Sequence, residues 1–262
     1  MSWSVVIILS AIVLAGNTDQ IFPDNRKEEI SLTYTGNMGV LIRSENMALW
    51  IDGIHEYYGP DYLQTPEDVL KKAFAGEDDF RNLNFVLFTH YHKDHFSKTL
   101  TKQLLQEKKG IRVIGAPQVT DSFDLAEIIP ARGMDGEIFS DNSSALRIKA
   151  FDIPHSGAQR HSQVHNQAYY VELDGIGILH LGDAEADAEA LKKLFQQKTD
   201  VLIVPVWFLT GNRGKDIIRE TGIKKVIVTH IDPRSVITKV TLPGVESVYF
   251  TEPGDMLRIA CP

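Results

Sequence analysis

Four groups that bind divalent metals fall within six consecutive positions of this chain: His90, His92, Asp94 and His95, in the run Thr89-His90-Tyr91-His92-Lys93-Asp94-His95-Phe96. Neutral imidazoles and a carboxylate are donors that Zn²⁺ takes readily, and Fe²⁺ or Mn²⁺ accept them too. Four donors so closely spaced do not all converge on one ion, but they can feed two adjacent ions from a single loop. The plain alternative is a solvated polar loop. Three of the chain's nine histidines beside an aspartate in so short a run speak against it. The single cysteine, Cys261, excludes an internal disulfide, a thiolate cage and a Cys-x-x-Cys redox pair.

A loop that does chemistry needs rigid elements on both sides. Residues 84–89 form a continuous apolar run, the pattern of a buried strand, directly before the cluster. Directly after it, Ser97 is placed to cap a helix bearing Leu100, Leu104 and Leu105, which stops by Gly110. Further strands are predicted at 30–35, 40–44, 48–52, 112–115, 145–151, 168–173, 176–181, 201–206 and 225–229. Helices are predicted from the Thr65-Pro66 start to Gly76, with Thr65 as cap, and over 186–197 and 215–220. Interleaved strands and helices, with meander-like strands opening each half, predict an α/β fold of two packed β-sheets with helices outside.

Composition narrows the partners. Hydrophobic residues make up 43% and charged residues 24%, ordinary for a globular chain. A net charge of −8 without any long basic run argues against nucleic acid as a partner. Residues 1–18 carry no charge, and an apolar run from Val5 to Ala15 ends in small residues. The run is short for a membrane span and suits a signal peptide, although no Lys or Arg precedes it. We expect residues 1–18 to be an export signal or an N-terminal anchor, and 19–262 to be one domain of an exported protein. No other membrane association is expected, and the partner is a small-molecule substrate.

The His-x-His-x-Asp-His element after a hydrophobic strand resembles the signature of the metallo-β-lactamase-fold superfamily of metal-dependent hydrolases. Trp50-Ile51-Asp52-Gly53 resembles its early Asp motif, Leu181-Gly182-Asp183 its Gly-Asp motif, and Val228-Thr229-His230 its late strand-terminal ligand. The style of the motifs is nearest to the lactonase-like and phospholipase-like branches. The resemblance implies a four-layer αββα sandwich and two divalent ions, Zn²⁺ first, with Mn²⁺ or Fe²⁺ as alternatives. It implies that His90, His92 and a third histidine hold one ion, that Asp94, His95 and His230 hold the other, and that Asp183 bridges them. The third histidine is His155, after strand 145–151, with His165 and His161 as rivals.

That ligand set implies hydrolysis. Two ions sharing a water lower its pKa from about 15.7 toward 7, and Asp94 or Asp183 can take the proton, so no serine or cysteine nucleophile is needed. The expected bond is an ester, lactone or phosphodiester of a small molecule. β-Lactam hydrolysis and a non-catalytic metal-binding exported protein are the alternatives. His55 is expected at the surface or lining a pocket, His180 as a satisfied core histidine, and Asp52 as a hydrogen-bond partner of a ligand histidine or its loop. Trp207, Phe208, Tyr57 and Tyr58 are expected to wall the substrate site.

Overall fold

The computed structural model describes residues 28–131 and 136–262. The 1–18 segment read as an export signal or anchor lies outside the described residues. The described residues open with three antiparallel strands, β1 (Glu29–Gly36), β2 (Gly39–Arg43) and β3 (Ala48–Ile51). Next come α1 (Glu67–Ala75), β4 (Leu83–Phe88), α2 (Lys98–Glu107), β5 (Arg112–Gly115), α3 (Pro117–Thr120) and β6 (Ile128–Pro130). The second half opens with β7 (Gly136–Asp141), β8 (Leu146–Pro154), α4 (Ala158–His161), β9 (His165–Leu173) and β10 (Ile176–His180). It continues with α5 (Ala188–Leu191), β11 (Val201–Pro205), α6 (Trp207–Thr210), α7 (Asn212–Thr221), β12 (Lys225–Thr229), β13 (Glu246–Tyr249) and β14 (Met256–Ala260). One sheet runs β14-β1-β2-β3-β4-β5-β6 and the other β13-β12-β11-β10-β9-β8-β7.

Residue alternation explains the layering. In β4, Phe85 and Leu87 face the partner sheet while Val86 and Phe88 face the helices, so a strand covered on both sides reads as a continuous apolar run. Between the sheets Ile42, Ile51 and Leu87 meet Ile148, Val171, Ile178 and Ile203. On the outer faces Leu70, Phe74 and Leu104 of α1 and α2 cover Trp50 and Val86, and Ile217 and Ile218 of α7 lie in one cluster with Val204 and Val228. Each such aliphatic side chain removed from water contributes about 1.5–3 kcal/mol. The result is the two-sheet α/β sandwich of the metallo-β-lactamase fold.

Several elements differ from the sequence reading. Thr65 does not cap α1; Pro66 takes the cap position without a side-chain bond. The Thr65 hydroxyl instead donates to the Gly53 carbonyl and lies 3.0 Å from Nε2 of His55. The expected helix 186–197 is only the short α5 followed by a 3₁₀ turn, Leu194–Gln196. Asp187 accepts from the amides of Glu189 and Ala190 and starts α5 late. Only Leu191 and Leu194 are buried there, too narrow an apolar stripe to hold a longer helix. β8 and β9 run past their expected ends and stay paired as far as Pro154 opposite His165.

Candidate metal centre

The cluster forms where strands of both sheets end at a common edge, the usual place for a site in α/β sheets. Asp52 follows β3, the His90–His95 loop follows β4, His155 follows β8, Asp183 follows β10 and His230 follows β12. Three groups of donors lie within 4.8 Å of one another: His90, His92 and His155; His90, His95 and Asp183; Asp94, His95 and His230. In the first, His90 Nε2 is 2.9 Å from His92 Nδ1 and 3.3 Å from His155 Nε2. In the last, Asp94 Oδ2 is 3.4 Å from Nε2 of both His95 and His230. Asp183 stands between them, 3.4 Å from His95 and His230 and 3.6 Å from His155.

Hydrogen bonds behind the cluster set which nitrogen faces inward. His95 Nδ1 lies 2.9 Å from Asp52 Oδ2, an acceptor-only partner, so Nδ1 carries a hydrogen and Nε2 is the nitrogen left to face a cation. His155 Nδ1 donates to the Ser156 carbonyl at 2.7 Å, with the same effect. The Thr89 hydroxyl donates to Asp52 at 2.6 Å, leaving its oxygen to accept from His90 Nδ1 at 3.0 Å. Asp52 also accepts from the Thr89 amide at 2.8 Å, which fixes the start of the loop. Asn37 Nδ2 donates to the Asp94 carboxylate and carbonyl, and its own carbonyl accepts from the His230 amide. Asn37 thus ties ligand candidates of the two sheets together.

The donor set fits a cation. His95 Nε2, His230 Nε2 and Asp183 Oδ1 are buried without a hydrogen-bond partner, an arrangement that is costly unless another group satisfies them. Backbone strain gathers in the same place: Asp52 and His230 hold φ of 49° and 54°, each costing about 1–2 kcal/mol for a non-glycine residue. Gly182 has φ 55°, and a Cβ there would stand 2.6 Å from Asn166 Oδ1 and 2.7 Å from Thr89 Cβ. A glycine before Asp183 is therefore a steric requirement.

Charge separates the two halves of the metal-free cluster. Burial pushes His90 well down and His92 to about 4, and it lowers His155, so these three stay neutral and ready to donate lone pairs. Burial also acts to lower His95 and His230. The carboxylates outweigh it, Asp183 first, holding His95 well above its ordinary value and His230 at about 9. Burial opposes charge on Asp183 and Asp94 as well, but His230 and His95 keep Asp183, and His95 and His230 keep Asp94, far below the ordinary carboxylate range.

Of the rivals to His155, His165 is exposed and lies 3.6 Å from Asp152, away from the cluster. His161 sits at the rim, its ring 4.6 Å from that of His155 and 5.1 Å from that of His92. His180 is buried, donating to the Met38 carbonyl and accepting from the Gly182 amide. His55 is buried rather than at the surface, in contact with Thr65. Trp207 packs 5.2 Å from the His230 ring and donates to the Ala184 carbonyl, whereas Phe208 is core and not wall. Tyr57 and Tyr58 are exposed; the tyrosines near the cluster are Tyr62, its ring 5.8 Å from that of His230, and Tyr91, its ring 5.2 Å from that of His92. Asn37, Thr89 and Tyr62 were not singled out from sequence. The Gly36-Asn37 turn and the threonine closing β4 were the available signals.

Fold and donor cluster together define a protein of the metallo-β-lactamase type. Residues 31–238 match the family described as the beta-lactamase superfamily domain, and the chain belongs to it. It is similar to metal-dependent hydrolases of Pyrococcus furiosus, 28% identical over 142 residues, and Pyrococcus horikoshii, 27% over 143. These matches cover 51% and 52% of this chain and 59% of each relative, so the chain spans about three fifths of the length of the curated relatives it matches. Among solved structures it shares its fold with the metallo-β-lactamase fold protein YhfI of Bacillus subtilis, at TM-score 0.61 and 15% identity over 88% of this chain and all of that one. A metallo hydrolase of Ignicoccus hospitalis aligns at TM-score 0.58 and 18% identity over 88% and 98%.

Proposed function

We propose that the chain is a metal-dependent hydrolase holding two divalent ions, Zn²⁺ first, and cleaving an ester, lactone or phosphodiester bond of a small molecule. The observation that carries this reading is the pair of donor groups, His90/His92/His155 and Asp94/His95/His230, with Asp183 within 3.6 Å of members of both. The likeness to the metal-dependent hydrolases of the two Pyrococcus species supports it. Bound there, such ions supply Lewis acidity and a water acidic enough to ionise near neutral pH.

The residues of the chain have separate tasks. His90, His92 and His155, kept neutral by burial, hold one ion; Asp94, His95 and His230 hold the other. Asp52 orients His95 directly and His90 through Thr89. Hydrolysis adds the oxygen of one water to the acyl or phosphoryl centre, breaks the bond to the leaving oxygen and returns a proton to that oxygen. We assign acceptance of the water's proton to the carboxylates of Asp183 and Asp94. Chelation should abolish turnover of whichever substrate in an ester, lactone, phosphodiester and β-lactam panel is cleaved, and Zn²⁺, Mn²⁺ or Fe²⁺ should restore it. Turnover indifferent to chelator would contradict the reading.

A further inference from the structure

Beside His230 a second feature opens: a cleft of about 630 Å³ running from Tyr62 and His230 out between residues 206–210 and 231–240. Its walls are mostly aliphatic, with Val206, Ile231, Ile237 and Val240, beside the small uncharged hydroxyls of Thr210, Ser235 and Thr238, and Val236 on its rim is wholly exposed. Among the described residues that line it, His230 alone is basic, and it faces Asp94 and Asp183. Asp61 and Asp232 line the mouth, and the Arg234 guanidinium between them is engaged by both carboxylates. An anionic group entering here would meet two carboxylates whose cation is already paired, whereas a hydrocarbon chain would cover bare aliphatic surface. Because His230 belongs to both the cleft and the donor cluster, whatever fills the cleft ends at the cluster.

We propose that this cleft binds the hydrocarbon arm of the substrate, and that the substrate is a neutral carboxylic ester or lactone carrying such an arm rather than a phosphodiester. The inference rests on the hydrolase reading and narrows its substrate class. Size agrees: the volume lies within the ordinary range for small-molecule sites, about 300–1,000 Å³. The test has a binding arm and a turnover arm, both on the full-length metal-loaded protein. Calorimetry with uncharged, non-hydrolysable N-alkyl amides of two to ten carbons should show affinity rising by up to about fourfold per methylene until the cleft is full. Ile237→Asp, and Val236→Asp at a position too exposed to disturb folding, should flatten that rise without changing metal content. A flat series in the unaltered protein, or a rise untouched by both substitutions, would overturn the assignment. Turnover should rank long-chain neutral esters and lactones above short ones and above phosphodiesters. Metal-dependent turnover that prefers phosphodiesters would refute the substrate class and leave the hydrolase reading intact. The binding rise without any turnover would support the cleft assignment and count against the hydrolase reading.

Discussion

Replacing Asp52 by Asn tests the hydrogen bonding behind the metal centre without removing a proposed ligand. Asp52 is buried, and its two oxygens accept from the Thr89 amide, the Thr89 hydroxyl and His95 Nδ1. An asparagine of the same shape can keep its oxygen on the Thr89 amide, but its NH₂ then faces His95 Nδ1. Two donors cannot share that contact, so His95 must move its hydrogen to Nε2, the nitrogen 3.4 Å from Asp94 and Asp183. A protonated Nε2 is closed to a metal. Losses of such orienting partners typically weaken metal binding about 10- to 100-fold, or about 1.4–2.8 kcal/mol. Competition with a fluorescent chelator, followed by elemental analysis, should show the Asp94/His95/His230 site weakened by that factor. The same NH₂ faces the Thr89 hydroxyl, whose hydrogen loses its acceptor and turns to His90 Nδ1, so the His90/His92/His155 site should weaken as well. Two ions retained at unaltered affinity in D52N would refute the tautomer argument.

Three further outcomes follow. His155→Ala should lose one metal equivalent, His165→Ala should keep both, and Asp183→Ala should be the most damaging, all read by elemental analysis; metal loss in His165→Ala alone would reassign the third histidine. Gly182→Ala should destabilise by at least about 1–2 kcal/mol from its left-handed backbone alone, with metal loss as Asp183 is displaced. A melting temperature and metal content equal to the unaltered protein would contradict the steric reading of that glycine. In chelator-treated protein, His230 at about 9 contributes stability that is complete below the ordinary 6.5 and lost as pH rises through 9. Burial holds His55 and His92 near 4, so stability is lost as pH falls from 6.5 toward 4. Thermal melts of the metal-free protein should peak near 6.5, and a melting temperature rising from 6.5 to 9 would refute the charge assignment.

Much of this architecture is legible in the sequence because buried strands leave an unmistakable trace. The run at β4 is apolar at four consecutive positions since helices and the partner sheet cover both of its faces. The His-x-His-x-Asp-His element is equally visible, as consecutive residues of one loop need no tertiary knowledge to be seen together. Edge strands are harder: β14 alternates only between exposed and half-exposed residues, so no hydrophobic period marks it. The third histidine illustrates a second limit. The difference between His155 and His165 rests on how far β8 and β9 remain paired. Pairing up to Pro154 and His165 leaves His155 beyond the strand end, near His90, and His165 at the outer margin. Asn37 escaped notice because its contacts to Asp94 and His230 span 57 and nearly 200 positions of sequence; its role exists only once both sheets are assembled.

The central claim, two ions held by two donor groups that share Asp183, is tested most directly by counting metal. Protein purified without chelator should carry close to two Zn²⁺-class ions per chain by elemental analysis, and the double substitution His90→Ala with His92→Ala should leave close to one. Protein that holds no metal, and gains none when Zn²⁺, Mn²⁺ or Fe²⁺ is added, would contradict the account.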